Sequence, residues 1–444
     1  MKTKAKHLMG RGGWPVRLTA AALAVGLAAS LCAGCGGTTG QSPASDLCAG
    51  SGGSLESQRP TGPSSGSGSA DRAPSSSAAG GSGSGSAGGA ASSHSSGGAA
   101  EGQNRAAAIR MADFILSLQQ PNGAIPDAAG AGTVNEDSNM EYALVALAAA
   151  YQNTGEQKYL SGLEAGIGWL AGAETMESGP WKGSWWYLYD GEGGRLQASG
   201  EDGAADVRGV DTTSALFVYL LYLDRQCSGS RALADRFREN ADAALQFLLT
   251  QSRTADGFMA SSFLQDETGA WSRYDCCYAA DQGDVWLGLR AGALLYGTGE
   301  YARAADLLKE KVPAAFYSAA HGRFCIAIED GRQDWSEEGF GPVQCQGFLP
   351  WMWGDSAQGR GSVDWLRQRL KGSRSSEFFL SAAFLGLGEQ GLGRPFSAEY
   401  SAWLVKNGLD PATGGVYDSP GDHTETVNVA AFCALALFGW PAGV

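Results

Sequence analysis

Histidine is scarce in this chain. Of four in 444 residues, only His321 and His423 follow residue 100. After Cys35 no CxxC pair is present either, which argues against a tetrahedral zinc site, so neither a metal nor a cofactor is expected. The same shortage leaves no base in sequence beside Cys276-Cys277, so that pair does not read as an activated nucleophile. Positive charge is also short: 32 Lys and Arg stand against 46 Asp and Glu, a net −14. That balance argues against nucleic acid and anionic lipid faces as partners. The apolar run from Leu18 to Leu31 is too short for a membrane span, which needs about 20 residues.

That run follows a basic stretch (Lys2, Lys4, Lys6, Arg11, Arg17) and ends in Leu31-Cys32-Ala33-Gly34-Cys35. It has the length of a signal-peptide core. The small residues before Cys35 resemble a bacterial lipobox, which implies removal of residues 1–34, diacylation of Cys35 and an exported lipoprotein held at a membrane surface by its lipid alone. From residue 35 to 100 the chain is mostly Gly, Ser and Ala. Such a segment lacks the apolar surface to offset its conformational entropy and is expected to be a disordered spacer with a mean reach of about 45 Å.

Residues 101–444 read as one domain built from a repeat. Each unit has an amphipathic helix, a Gly-containing turn, a polar loop and a more apolar helix. The first runs Ala106 to Gln120, Asn122-Gly123, then Met140 to Tyr151. Later turns are Trp181-Lys182-Gly183, Asp256-Gly257-Phe258, His321-Gly322-Arg323 and Gly414-Gly415-Val416. Six such pairs make about twelve helices, with amphipathic partners outside and apolar ones inside. The arrangement predicted is an all-α (α/α)6 toroid, with an open superhelix as the competitor.

The turn and helix pattern resembles the six-hairpin toroid superfamily of glycoside hydrolases, polysaccharide lyases and sugar epimerases. Terpene cyclases and prenyltransferases share the toroid, and Gln119-Gln120-Pro121-Asn122-Gly123-Ala124 looks like a degraded form of their repeat. However, no DxDD string and no set of zinc ligands accompanies it. The resemblance implies a carbohydrate polymer or oligosaccharide as partner. Its loops into the inner helices would line one open end.

Carboxylates sit at those entries: Glu136, Asp137 and Glu141; Asp206 and Asp211; Asp275, Asp281 and Asp284; Glu337 and Glu338; Glu377; Glu425. Each could be a helix cap or first-turn acid. Repeated around a ring, they would face one space, and glycosidic cleavage needs two carboxyl groups of opposite protonation state. Asp281 is the favoured catalytic or sugar-binding acid, with Asp211 or Glu141 as its partner. Asp284, three residues on, shares its helix face.

Thirteen Trp residues are many for this length. Trp181, Trp185, Trp186, Tyr187, Tyr189, Trp271, Tyr274, Trp335, Trp351 and Trp353 lie in or beside the entry loops, about half of them expected in the core. Trp181, Trp185, Trp186, Trp271 and Tyr274 are the candidates for stacking on sugar rings. His423 precedes the last inner helix and is the histidine placed to face a cleft, whereas His321 reads as a turn residue. Arg208, Arg273 and Arg332 could bind a uronate, but the acidic surroundings favour a neutral or amino sugar. A disulfide from Cys276 or Cys277 to Cys325 or Cys345 is expected. The function predicted is glycosidic hydrolysis; the alternatives are glycan binding without turnover, a lyase or epimerase, and an isoprenoid cyclase-like activity.

Overall fold

The computed structural model describes residues 95–200, 203–373, 377–441 and 443–444. The expected signal peptide and Cys35 lie outside these residues, as does all of the spacer before Ser95. The first helix begins at Ser95, inside the stretch that composition assigns to the spacer.

Thirteen α-helices are found among the described residues. In chain order they are α1 (Ser95–Leu118), α2 (Asn139–Thr154), α3 (Gln157–Ala173), α4 (Asp211–Ser228), α5 (Ala232–Arg236), α6 (Arg238–Phe247) and α7 (Ala279–Tyr296). Then follow α8 (Gly299–Phe316), α9 (Gly341–Trp353), α10 (Ala357–Ser373), α11 (Phe379–Gly391), α12 (Ala398–Asn407) and α13 (Val427–Phe438). Six of them, α2, α4, α7, α9, α11 and α13, are rich in Ala, Leu, Val and Phe and buried on nearly every face. An all-round apolar helix must sit inside. Each packs against the next, and α13 packs back on α2, so the inner ring is closed. The remaining helices form the outer layer, its third member broken into α5, α6 and a π-turn at Leu248–Ser252. The domain is therefore an (α/α)6 toroid. No described helix is long and apolar enough to cross a membrane.

The recurring glycine turn has a physical reason. Gly123 (φ +100°) and Gly183 (φ +89°) follow the first and second outer helices, and their left-handed backbone admits little besides glycine. A β-carbon there would lie 2.2 Å from the Ala165 carbonyl oxygen on α3, or 2.0 Å from that of Ala243 on α6. Each turn thus abuts the next outer helix. The last, Gly414, abuts the Arg110 carbonyl of α1, and Arg110 Nη2 donates to the carbonyls of Asp410 (3.0 Å) and Pro411 (2.7 Å). Those contacts close the outer layer.

Every strand among the described residues lies in a connection from an outer to an inner helix, whereas four of the return turns have two or three residues. The elaborated end is thus the end where the inner helices begin. Lower down, the axis is filled: Tyr142 packs on Phe432 (4.3 Å between ring centres), Phe432 on Phe384 (4.7 Å) and Phe348 on Trp440 (5.4 Å). Trp440, beyond α13, also stacks on Trp351 (4.4 Å) and donates to the Tyr219 hydroxyl (2.7 Å).

The expected disulfide is not formed, and none of the six described cysteines is joined in a disulfide. Strand 276–278 pairs with 327–329 so that Cys276 faces Glu329 and Cys277 faces Ile328. Cys325 is out of that register, and the Cys345 thiol lies 3.9 Å from the Ile326 carbonyl.

Inner helices approach through glycine. At Gly347 of α9, a β-carbon would fall 2.1 Å from the Phe384 carbonyl oxygen of α11. Gly347→Ala is therefore expected to destabilise the domain by about 2–3 kcal/mol. Gly168→Ala, exposed on α3 with nothing within 4 Å, should stabilise it by about 0.5–1 kcal/mol. Denaturant unfolding of both variants checks this, and equal stabilities would refute the close-approach account.

Candidate active site

A cavity of about 700 Å³ opens at the elaborated end, above the Tyr142–Phe432 contact. Residues from the entries and first turns of α2, α7, α9 and α13 line it, including Asp137, Tyr142, Asp281, Gln344 and Asn428. Its lining holds five acids (Asp137, Asp281, Asp334, Glu337 and Glu338) and no Lys, Arg or His. Tyr278, Ile326, Phe340 and Phe432 supply apolar surface.

Asp281 takes this position because it lies in the first turn of α7, directly after strand 276–278. Asp137 reaches it from the turn that ends at Ser138, whose φ of 65° is left-handed, just before α2. The wall that carries Glu337 and Glu338 is held by Arg323, which is 1% exposed. Its Nη2 donates to the Trp335 carbonyl (2.6 Å) and lies 3.7 Å from Glu337 Oε1.

Beneath the lining lies a second tier of acids that never reach water. Asp284 is fully buried and accepts the Tyr142 hydroxyl at 2.6 Å. Burial pushes its carboxyl well above the usual range, and repulsion from Asp281 and Glu141 adds to this. Glu136 and Glu141 are also fully buried and face one another; burial raises both, and repulsion from Glu141 raises Glu136 further. Asp127, which accepts Asn139 Nδ2 at 3.0 Å, is pushed up to about 7 by burial. Asp211 is fully buried, with Oδ1 accepting the Thr212 amide at 3.0 Å.

The acids expected to act together are thus sorted by depth. Asp281 is in the cavity, Asp284 lies behind Tyr142, and Glu141 and Asp211 are not in the lining. Three other entry acids hold structure. Asp206 pairs with Arg195 and accepts the Ala198 amide, Glu377 pairs with Arg369 at 2.7 Å, and Glu425 accepts the Thr413 hydroxyl at 2.9 Å.

The expected aromatic candidates are not in the lining either. Trp185 is a core residue, 1% exposed, whose indole donates to the Leu170 carbonyl at 2.8 Å. Trp181, Trp186 and Trp271 form a half-buried cluster around Arg208, which lies 3.9 Å from the Trp186 ring centre. Tyr274 packs beside Cys276 and Ile326. His423 is stacked on Tyr417 at 4.2 Å, and His321 on Trp335 at 4.1 Å. The sequence did not single out Tyr142, Tyr278, Asn428 and Phe432, and had noted Asp137 only among the entry acids. A usable signal was a polar or aromatic residue in the first turns of helices otherwise built from Ala, Val and Leu. Among the described residues no cluster of His, Cys, Asp and Glu is placed to hold a metal ion.

The buried acids fix how stability depends on pH. Their folded-state pKa values lie above those of the unfolded chain, so the stabilisation is complete below the ordinary carboxylate range and is lost as pH rises through the raised values. For Asp127 and Glu174, raised to about 7 and about 8, that window runs from about pH 4 to 8. The melting temperature is expected to drop by about 5 °C or more between pH 5 and pH 8, with a shallower slope in Glu141→Gln. A flat profile, or an unchanged slope in that variant, would contradict the buried-proton account.

No family model and no curated protein sequence matches the chain. Solved structures do. Cellobiose 2-epimerase from Spirochaeta thermophila DSM 6192 superposes with a TM-score of 0.58 at 11% identity, over 78% of this chain and 98% of that one. A D-mannose isomerase gives 0.55 at 13% over 75% and 96%, and a glycosidase variant in complex with glucose gives 0.53 at 13% over 76% and 96%. At this identity the likeness is one of fold, and the domain shares the six-hairpin toroid of these glycosidase-like enzymes.

Proposed function

We propose that the domain is a carbohydrate-active enzyme that hydrolyses glycosidic bonds of a poly- or oligosaccharide, held outside the cytoplasm by a lipid on Cys35. The observation that carries the reading is the cavity: carboxylates converge there from separate elements, next to aromatic surface, at the open end of the toroid. Hydrolysis needs one carboxyl to protonate the leaving oxygen and an ionised one to act as nucleophile or to activate water. Asp281, in the first turn of α7, is the ionised member, because the helix N-terminus favours negative charge. Asp137, on the α2 side, is the acid. Tyr142, fixed through Asp284, positions the substrate between them. The neighbours of like fold named above include an epimerase, an isomerase and a glycosidase with glucose, which supports a sugar as substrate. A lining with five acids and no base favours a neutral or amino sugar over a uronate.

Among those activities hydrolysis is favoured because the lining holds paired carboxylates and no histidine. Glycan binding without turnover is the second reading, and it would use the aromatic surface without the acids.

Reducing-end release from a glycan panel tests the chemistry. Asp281→Asn and Asp137→Asn should each lose about 100-fold or more in turnover with little change in melting temperature. Asp211→Asn and Glu141→Gln, away from the lining, should change stability more than turnover. Full activity in both cavity variants would refute the assignment, and binding without release by the wild type would favour the second reading. For the anchor, Cys35→Ala should abolish fatty-acid labelling and move the protein to the soluble extracytoplasmic fraction; persistent labelling would refute it.

A further inference from the structure

A second cavity, of about 370 Å³, lies beside the first and is lined by Glu337, Trp365, Gln368 and Arg369. Glu337 lines both, so the two spaces adjoin at that residue. Trp365 is half exposed on α10, and Gln368 and Arg369 follow it by three and four residues, on the same helix face. The indole is fixed by two guanidinium groups, Arg323 at 4.9 Å and Arg369 at 5.6 Å from its ring centre. Both cations are already engaged. Arg369 binds Glu377 at 2.7 Å and the Glu337 carbonyl at 2.5 Å, and Arg323 binds the Trp335 and Ser336 carbonyls. What the cavity offers a ligand is the part of the half-buried indole that the two guanidinium groups leave uncovered, the exposed Gln368 amide and the Glu337 side chain, which is 74% exposed although its Oε1 lies 3.7 Å from Arg323 Nη2. An aromatic surface rimmed by one amide and one carboxylate matches a pyranose: the ring's C–H face meets the indole and its hydroxyls meet the polar groups.

We propose that Trp365 is the floor of a second sugar subsite, so that the substrate runs from the central cavity past Glu337 onto α10 and is read as at least two linked units. The proposal rests on the carbohydrate reading above. Engaged arginines leave the subsite selective for an uncharged unit. An aromatic platform of this kind contributes to binding and not to the chemical step, so it acts on KM and leaves kcat for short substrates alone.

The test uses the full-length chain and ladders of one to four units of gluco- and glucosamine-oligosaccharides, with affinity by calorimetry and KM by reducing-end release. Wild type should gain about tenfold in affinity when the ladder first becomes long enough to reach α10. Trp365→Ala should abolish that gain without altering affinity for the single unit, Trp365→Phe should keep most of it, and Gln368→Ala, at an exposed position that does not threaten the fold, should reduce it. If Trp365→Ala and Gln368→Ala both retain the full chain-length gain, or if wild type shows none while still cleaving the ladder, the subsite is overturned and the proposed function stands. If wild type neither binds nor cleaves any ladder or panel glycan, both are overturned.

Discussion

The rest of the molecule depends on closure of six apolar helices into a ring with all their N-termini at one end. Closure is a backbone constraint before it is a side-chain one. Gly347 against the Phe384 carbonyl, and the turn glycines against the next outer helix, set spacings that a β-carbon would forbid. Once those contacts are made, Tyr142, Phe348, Phe384, Phe432 and Trp440 meet along the axis and fill its lower part. Axial space is left near the entries of the inner helices, and it becomes the cavity.

The same geometry explains how acids accumulate there with no cation among them. Each inner helix presents the positive end of its dipole and unsatisfied amides toward that end. Several such ends offset part of the repulsion among carboxylates. What they leave is relieved by protonation, and the deepest acids accept it: Glu136 with Glu141, and Asp284 under the Tyr142 hydroxyl. Asp281 and Asp137, among the acids that line the cavity, keep contact with water.

The fold was legible because both of its signals are local. Apolar runs such as Met140 to Tyr151 can only be buried, and the recurring turn glycine marks where the chain leaves five of the six outer helices. The site was legible in part. Asp281 lies in the first turn of its helix, where helical spacing places it at the entry. Asp211 and Glu141 have the same local signature, yet tertiary packing covers both. The tryptophans were harder still. In Trp185-Trp186 one residue fills the core and its neighbour stacks on Arg208, and nothing in the dipeptide says that neither reaches the cavity. The residues that do line it beside Asp281 come from other units, so their convergence is a property of the ring and not of any one repeat.

Depth is therefore the variable that separates function from structure among the entry acids. A fully covered acid in these connections is neutralised by a partner, as Asp206 is by Arg195 and Glu377 by Arg369. An acid one turn further out keeps its access to water. Asp281 and Asp284 make the point within a single helix: three residues apart on one face, they differ by about one turn of depth, and Tyr142 lies over the inner one. That tyrosine also lines the cavity, so its hydroxyl links the buried carboxyl to the open site. In this toroid the chemistry of an entry carboxylate follows from how many inner-ring side chains lie between it and the axis.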